Sequence, residues 1–143
     1  MKVLHNILIP ATFSTLVFFS CESDSKTDLP PEISDVTVGN HEGGDEVGRG
    51  EEMHVYFTAK SRSKGNLDYY HILIQDHDEY KIIDEDFKDE PAFKGSKEAI
   101  IHEHVLISDT ALLGSYHVLI TVVDEESNTS NTESLDTHIE VIE

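Results

Sequence analysis

The sequence contains a single cysteine, Cys21. An internal disulfide is therefore excluded, and any folded domain must be stabilised by its own hydrophobic core. There is no cysteine nucleophile beyond Cys21, and the chain also lacks a Gly-x-Ser-x-Gly elbow and a glycine-rich phosphate-binding loop. We therefore expect a binding protein and not an enzyme.

Basic residues are also few, with 10 Lys and Arg against 29 Asp and Glu and a formal charge of −19. So acidic a chain argues against nucleic acid and anionic lipid surfaces as direct partners, because it repels them. Small cations are the ligands that such a surface attracts.

Long apolar segments are absent beyond the first twenty residues. There Lys2 precedes a largely apolar run, residues 7–19, which has signal-peptide length and is too short for a comfortable membrane-spanning helix. The run ends in Ser20-Cys21, a junction similar to the lipobox of bacterial lipoproteins, although Phe18 stands where leucine is usual. In such proteins the cysteine becomes the acylated first residue. Ordinary signal cleavage that leaves a free thiol is the alternative.

These observations divide the chain into three parts. Residues 1–20 form the expected signal peptide, residues 21–30 an acidic tether that begins at the acylated Cys21, and residues 31–143 a single domain. Removing residues 1–20 takes away one lysine and no acid, so the mature chain has 9 basic and 29 acidic residues and a net charge of −20. Acyl chains would hold this domain at a membrane.

The domain shows the two-residue alternation of β-strands and no helical period. Strands are predicted at residues 32–38, 52–59, 67–75, 80–83, 99–108, 115–124 and 135–142, with an irregular acidic segment over residues 84–97. Seven strands in about 114 residues predict an all-β, immunoglobulin-like or fibronectin-III-like antiparallel sandwich.

One alternation phase of each strand is predicted to form the core. Tyr116 follows Gly114 at the start of the strongest strand, a pattern similar to the tyrosine corner, in which a buried ring bonds upstream backbone through its hydroxyl. The predicted core residues are Met53, Val55, Phe57, Ile72, Ile74, Val105, Ile107, Tyr116, Val118, Ile120 and Val122.

The stretch HEHVLISDTALLGSYHVLITVVDEESN, residues 102–128, joins a histidine-rich strand, a Gly-x-Tyr-His motif and a strand that closes on Asp-x-x-Ser-Asn. It resembles domain-of-unknown-function family 4625 of Bacteroidetes lipoproteins, in which a glycine stands at the position of Ser127. The resemblance implies an immunoglobulin-like fold and a lipid anchor, and it implies no established activity. The matching residues are His102, His104, Val105, Ile107, Gly114, Tyr116, His117, Asp124 and Asn128.

Nine histidines in 143 residues are several times ordinary usage. His102 and His104 lie two residues apart on one strand, so their side chains leave the same face about 7 Å apart. His54 is expected on the same face of the neighbouring strand, opposite roughly Val105. Three converging imidazoles suit Zn²⁺ or Cu²⁺. The alternative is that these histidines are only the polar, solvent-facing side of a half-buried sheet.

A second candidate metal site is His77, which stands at a strand end with Asp76 and Asp78 beside it. The acidic run that follows, residues 84–90, raises the alternative of Ca²⁺ bound by carboxylates. Calcium is less expected than a histidine-bound metal, because the run lacks an Asp-x-Asp-x-Asp-Gly loop and suits a solvated acidic loop.

The expected function is therefore that of a binding module, lipid-anchored in the outer membrane on its periplasmic side or at the cell surface. It is expected to take Zn²⁺ or Cu²⁺ on strand histidines, beside an outer-membrane transporter or another envelope protein. The alternative is a metal-free interaction module with a protein or glycan partner, which an exposed tyrosine patch at Tyr56 or Tyr69 would favour.

Overall fold

The computed structural model describes residues 29–135 and 137–143, except for the side chain of Ser134. The expected signal peptide, Cys21 and most of the expected tether lie outside the described residues. Within the part that is described, no helix is long and apolar enough to cross a membrane.

The described chain folds into nine β-strands and one short 3₁₀ helix, Glu133–Leu135. Seven of the strands correspond to predicted ones, whereas β2 and β8 have three residues each and are too short to show an alternation. The strands are β1 (Glu32–Gly39), β2 (Glu46–Gly48), β3 (Glu52–Lys60), β4 (Leu67–Gln75), β5 (Lys81–Phe87), β6 (Glu98–Leu106), β7 (Gly114–Asp124), β8 (Thr129–Asn131) and β9 (His138–Ile142).

The strands form two sheets. One has the order β1-β3-β6, and its neighbouring strands are antiparallel. The other has the order β2-β9-β7-β4-β5, with β8 also paired to β7, and among its described pairs only β2 and β9 run parallel. This arrangement is that of an immunoglobulin-like sandwich, and it confirms the predicted all-β class.

The core fills the space between the two sheets, and the predicted alternation phase is confirmed. All eleven residues predicted for the core are at most 7% exposed. Most come from alternate positions of β3, β4, β6 and β7, whose inward side chains interdigitate while the intervening ones face outward. Phe93, from the segment predicted to be irregular, is also fully buried and meets Tyr70 edge-on at 4.9 Å between ring centroids.

The acidic strand β5 is longer than the sequence predicts. The pattern indicates a strand only over residues 80–83, whereas β5 continues to Phe87. Because β5 is the edge strand of its sheet, its backbone pairs with β4 on one side and its acidic side chains need no apolar neighbours. Phe87 stacks on Tyr70 at 4.7 Å between ring centroids. The prediction of an irregular segment is therefore wrong over this stretch.

Tyr116 forms the predicted tyrosine corner. Its ring is 2% exposed, and its hydroxyl donates a hydrogen bond to the carbonyl of Leu112 at 2.9 Å. Burial raises the pKa of the Tyr116 hydroxyl, which therefore stays protonated as a donor. The bond ties the loop between β6 and β7 to the start of β7, next to His117.

Candidate metal centre

The histidines predicted to cluster lie on the outer face of the three-stranded sheet. β3 pairs with β6 so that His54 lies opposite His104. This corrects the expected partner, Val105, by one residue, since Val105 pairs with Met53 and both are buried. Directly opposed residues point to the same side of a sheet, so a histidine opposite a histidine keeps both rings on the solvent side.

A fourth histidine, His41, joins the cluster from the loop between β1 and β2. β1 pairs with β3 so that Gly39 lies opposite His54, and the loop that follows brings His41 against the same ring. Asn40 shapes this loop, because its side-chain oxygen accepts two loop N–H groups at 2.9 Å each. Gly39 has a φ of 140°, and a Cβ there would lie 2.0 Å from the carbonyl oxygen of Gly44, so the turn requires glycine.

The four rings contact one another, with His54 at the centre. Its Nδ1 lies 2.7 Å from Nε2 of His102, and its Nε2 lies 3.0 Å from Nε2 of His41. The ring centroids of His54 and His104 are 4.3 Å apart. One ring nitrogen from each of His41, His54 and His104 lies within 4.8 Å of the other two.

The hydrogen bonds decide which nitrogens are available to a ligand. His104 donates from Nδ1 to Oε2 of Glu52 at 3.1 Å, which leaves the lone pair of His104 on Nε2. When His54 donates from Nδ1 to His102, its own lone pair also remains on Nε2. The 3.0 Å between Nε2 of His54 and Nε2 of His41 compares with roughly 3.3 Å for two nitrogens on a tetrahedral metal with bonds of about 2.0–2.1 Å. His41, His54 and His104 thus form a three-nitrogen set that His102 and Glu52 orient.

The central ring is held in its neutral form. The pKa of His54 lies below its ordinary value of 6.5, mainly because the ring is partly desolvated and also because His41, His104 and His102 surround it. The negative charge of Glu52 raises the pKa of His54 and so opposes this shift without reversing it. An uncharged imidazole is the form that binds a metal, so the lowered pKa favours the binding form of His54.

The cluster opens to solvent. His54 is half-buried and the other three histidines are exposed. A shallow depression beside the cluster is lined by His41, His54 and His102 together with Asn40 and Tyr56. A metal held by three imidazoles would therefore keep a coordination position that water or another molecule can reach.

The sequence identified three of the four histidines and missed His41. A glycine-rich loop has no alternation, so nothing in the residue pattern indicates which way the side chain of His41 points. The available sequence signal is that His41 lies two residues after Gly39, the last residue of β1, which pairs with His54 on the neighbouring strand.

The second predicted site is arranged differently from the expectation. Asp76 accepts the backbone N–H groups of Asp78 and Tyr80 at 2.9 and 2.8 Å, which closes the turn after β4. His77 contacts His117, with 3.2 Å between Nδ1 of the first ring and Nε2 of the second. The structure therefore pairs His77 with a histidine and uses Asp76 to shape the turn.

The acidic run considered for calcium has basic partners. Asp84 accepts hydrogen bonds from Lys81 and His71 at 2.7 and 2.8 Å, and these bonds hold the pKa of its carboxyl below the ordinary value. Asp86 pairs with Lys88 at 2.7 Å. Among the described residues, the one group of three convergent ligand side chains is the histidine set.

Solved structures share the fold at low sequence identity. A Niemann-Pick type C2 protein from the Japanese carpenter ant is 9% identical with a TM-score of 0.52, over 80% of this chain and 95% of that one. The Pseudomonas fluorescens alkylpurine DNA glycosylase AlkC, bound to DNA containing an abasic site analog, is 14% identical with a TM-score of 0.50. That match covers 80% of this chain and 31% of the glycosylase, so this chain spans about a third of its length. At these identities the likeness shows the fold alone.

No curated protein sequence matches the chain significantly. A family match extends over residues 19–142 and includes all nine described strands. The family carries the description Domain of unknown function (DUF4625), and the match confirms the resemblance found in the sequence. The chain belongs to the DUF4625 family.

Proposed function

We propose that this protein is a lipid-anchored protein of the cell envelope whose immunoglobulin-like domain binds Zn²⁺ or Cu²⁺ without catalysing a reaction. The observation that carries the proposal is the convergence of ring nitrogens from His41, His54 and His104 to within 4.8 Å of one another. Solvent-facing histidines that merely fill the polar side of a sheet have no reason to meet across two strands and a loop.

The ligand type determines the class of metal. Imidazole nitrogens suit Zn²⁺ and Cu²⁺, whereas Ca²⁺ takes six to eight oxygen ligands. The hydrogen bond from His104 to Glu52 resembles the carboxylate–histidine pairs that orient metal ligands and raise their basicity. Three nitrogens leave a fourth position for water or for a ligand from another molecule, which suits a site that takes up and passes on a metal.

The position of the cluster relative to the tether supports a role at a membrane. β1 begins at Glu32, opposite Lys60, and its other end lies at Gly39, opposite His54. The histidines therefore lie roughly 20 Å along β1 from the residue that follows the tether, by strand rise. An acylated Cys21 would hold the domain so that the metal site faces away from the membrane, where a transporter or another envelope protein can reach it.

Isothermal titration with Zn²⁺ tests the metal proposal, using the mature chain with Cys21→Ser to prevent acylation. We expect His54→Ala to weaken the affinity of the cluster at least 100-fold, because it removes the ring that contacts the other three. The matched control is His71→Ala, which removes a histidine that bonds Asp84 on the other sheet. A Ca²⁺ titration measures the general attraction of the acidic surface for dications. Equal zinc affinity in the parent and His54→Ala would contradict the proposal.

A second candidate function, a metal-free interaction module, is favoured by the apolar residues beside the cluster. Ile100 and Leu106 share the outer face of β6 with the histidines and are 63% and 60% exposed. Such residues suit contact with a protein or glycan partner. The tyrosines considered for this role, Tyr56 and Tyr69, are half-buried. The same titration separates the two functions, because a metal-free module predicts no effect of His54→Ala on zinc affinity.

A further inference from the structure

The outer face of the second sheet holds another group of histidines. His117 lies near the start of β7, where it pairs with Gln75 of β4 on one side and with His138 of β9 on the other. His77 follows β4 by two residues, in the turn that Asp76 closes. Two strands and a turn therefore bring three imidazoles to one edge of the sheet.

The contact between His77 and His117 has the geometry of a chelating pair. Nδ1 of His77 and Nε2 of His117 are 3.2 Å apart, and the ring centroids are 4.6 Å apart at an interplanar angle of 80°. Two nitrogens bound to one tetrahedral metal through bonds of about 2.0–2.1 Å lie roughly 3.3 Å apart. A metal can therefore take the place of the shared proton with little movement of either ring.

His138 is placed to supply a third nitrogen. Residues directly opposite each other in antiparallel strands have Cβ atoms about 4.5–5.5 Å apart, so the side chain of His138 leaves the strand next to that of His117 and on the same face. His138 is exposed, so a metal in solvent can reach it. Glu133 lines the same shallow hollow as His117 and adds negative charge to it.

We propose that His77 and His117, with His138 as a third donor, form a second transition-metal site that is separate from the first. The two sites lie on opposite outer faces of the sandwich, whose sheets are about 10 Å apart, so their side chains diverge and cannot share a metal. An imidazole site of this kind favours Cu²⁺ over Zn²⁺, following the general order of affinity among divalent metals.

The test is a titration of the mature Cys21→Ser chain with CuCl₂, in five proteins at moderate salt. We expect the parent to bind two Cu²⁺ ions with high affinity. His77→Ala with His117→Ala should lose one ion and leave the other within about twofold of its parental affinity. His41→Ala with His54→Ala should lose the other ion, and the quadruple variant should lose both. His138→Ala should retain two ions and weaken only the second site, by about tenfold.

The outcomes distinguish this site from the proposed function. If the His77/His117 variant loses one ion while the His41/His54 variant binds like the parent, the second site stands and the first is refuted. If the His77/His117 variant binds two ions with parental affinities, the second site is refuted, whatever the first does. Circular dichroism checks that each variant is folded, and His77→Gln with His117→Gln replaces the alanine variant where it is not.

Discussion

Replacing Glu52 by glutamine tests how the three-nitrogen centre is oriented. Glu52 lies opposite Leu106 at one end of the β3–β6 ladder, and its Oε2 accepts a hydrogen bond from Nδ1 of His104 at 3.1 Å. This bond fixes the ring so that its lone pair remains on Nε2. Glutamine keeps the size of the side chain, but its neutral amide accepts a weaker hydrogen bond and can offer its NH₂ group to the ring instead.

The size of the expected loss in zinc affinity follows from the exposure of the His104 and Glu52 side chains. Loss of a hydrogen-bond partner behind a metal ligand lowers metal affinity by about 10–100-fold. The side chains of His104 and Glu52 are 43% and 54% exposed, so water screens their interaction and the lower end of this range applies. We expect zinc affinity to fall about 10-fold in Glu52→Gln, which corresponds to ~1.4 kcal/mol of binding free energy.

The matched control for the lost charge is Glu98→Gln. Glu98 pairs with Lys60 at the far end of the same two strands, roughly 27 Å away by strand rise, which is several screening lengths at physiological salt. Zinc titration of both variants at moderate salt should show a loss only in Glu52→Gln. Equal losses would show that Glu52 acts through net charge, and unchanged affinity in Glu52→Gln would refute the orienting role. A loss as large as that of His104→Ala would make Glu52 itself a ligand.

Three further predictions concern the core, the metal-free fold and the anchor. Ile120→Asp should unfold the domain, because Ile120 is fully buried and the new carboxylate would be unpaired, whereas Thr121→Asp on the opposite face should melt close to the parent. The pKa of His54 is lowered in the folded state, so the unfolded state binds that proton more readily. The resulting stability is present above the ordinary value of 6.5 and is lost as the pH falls below it, so the melting temperature should drop in acid more for the parent than for His54→Gln. Cys21→Ala expressed with its signal should leave the membrane fraction, and an unchanged fraction would argue against acylation.

The parts of the fold that the sequence predicts correctly are those with one buried face. In β3, β4 and β7 every second residue is apolar, and a slip of one residue would expose all of them, so the alternation fixes both the strand and its inward face. The edge strand β5 and the short strands β2 and β8 lack a sustained alternation, so their limits follow mainly from backbone pairing with the neighbouring strands. Single inward side chains such as Val47 of β2 and Phe87 of β5 also pack against the core, but one such residue forms no pattern that can be recognised in the sequence.

The histidines of the candidate metal centre divide in the same way, into those that strand alternation places and one that it does not. The outward phase of β3 and β6 is enough to place His54, His102 and His104 on one face, because their core neighbours determine the phase. Whether a histidine of the cluster can bind a metal or instead orients a neighbouring ring depends on its side-chain rotamer. Strand alternation does not determine rotamers, so the contact of His102 with Nδ1 of His54 is visible only in the structure. His41 depends on a loop shaped by Asn40, and a loop has no period from which direction can be deduced.

In the proposed function, the acidic surface and the histidine cluster would contribute to cation binding in different ways. The net charge of −20 expected after removal of residues 1–20 would raise the local concentration of any dication, but exposed carboxylates are screened beyond a distance of about 8 Å and do not discriminate between metals. The imidazoles discriminate, because neutral nitrogen donors at tetrahedral spacing suit Zn²⁺ and Cu²⁺ and are poor ligands for Ca²⁺. A protein with the acidic surface alone would bind calcium and zinc weakly and alike. The identity of a bound metal would therefore be determined by the donor atoms, and the acidic surface would affect how fast and how often a cation reaches them.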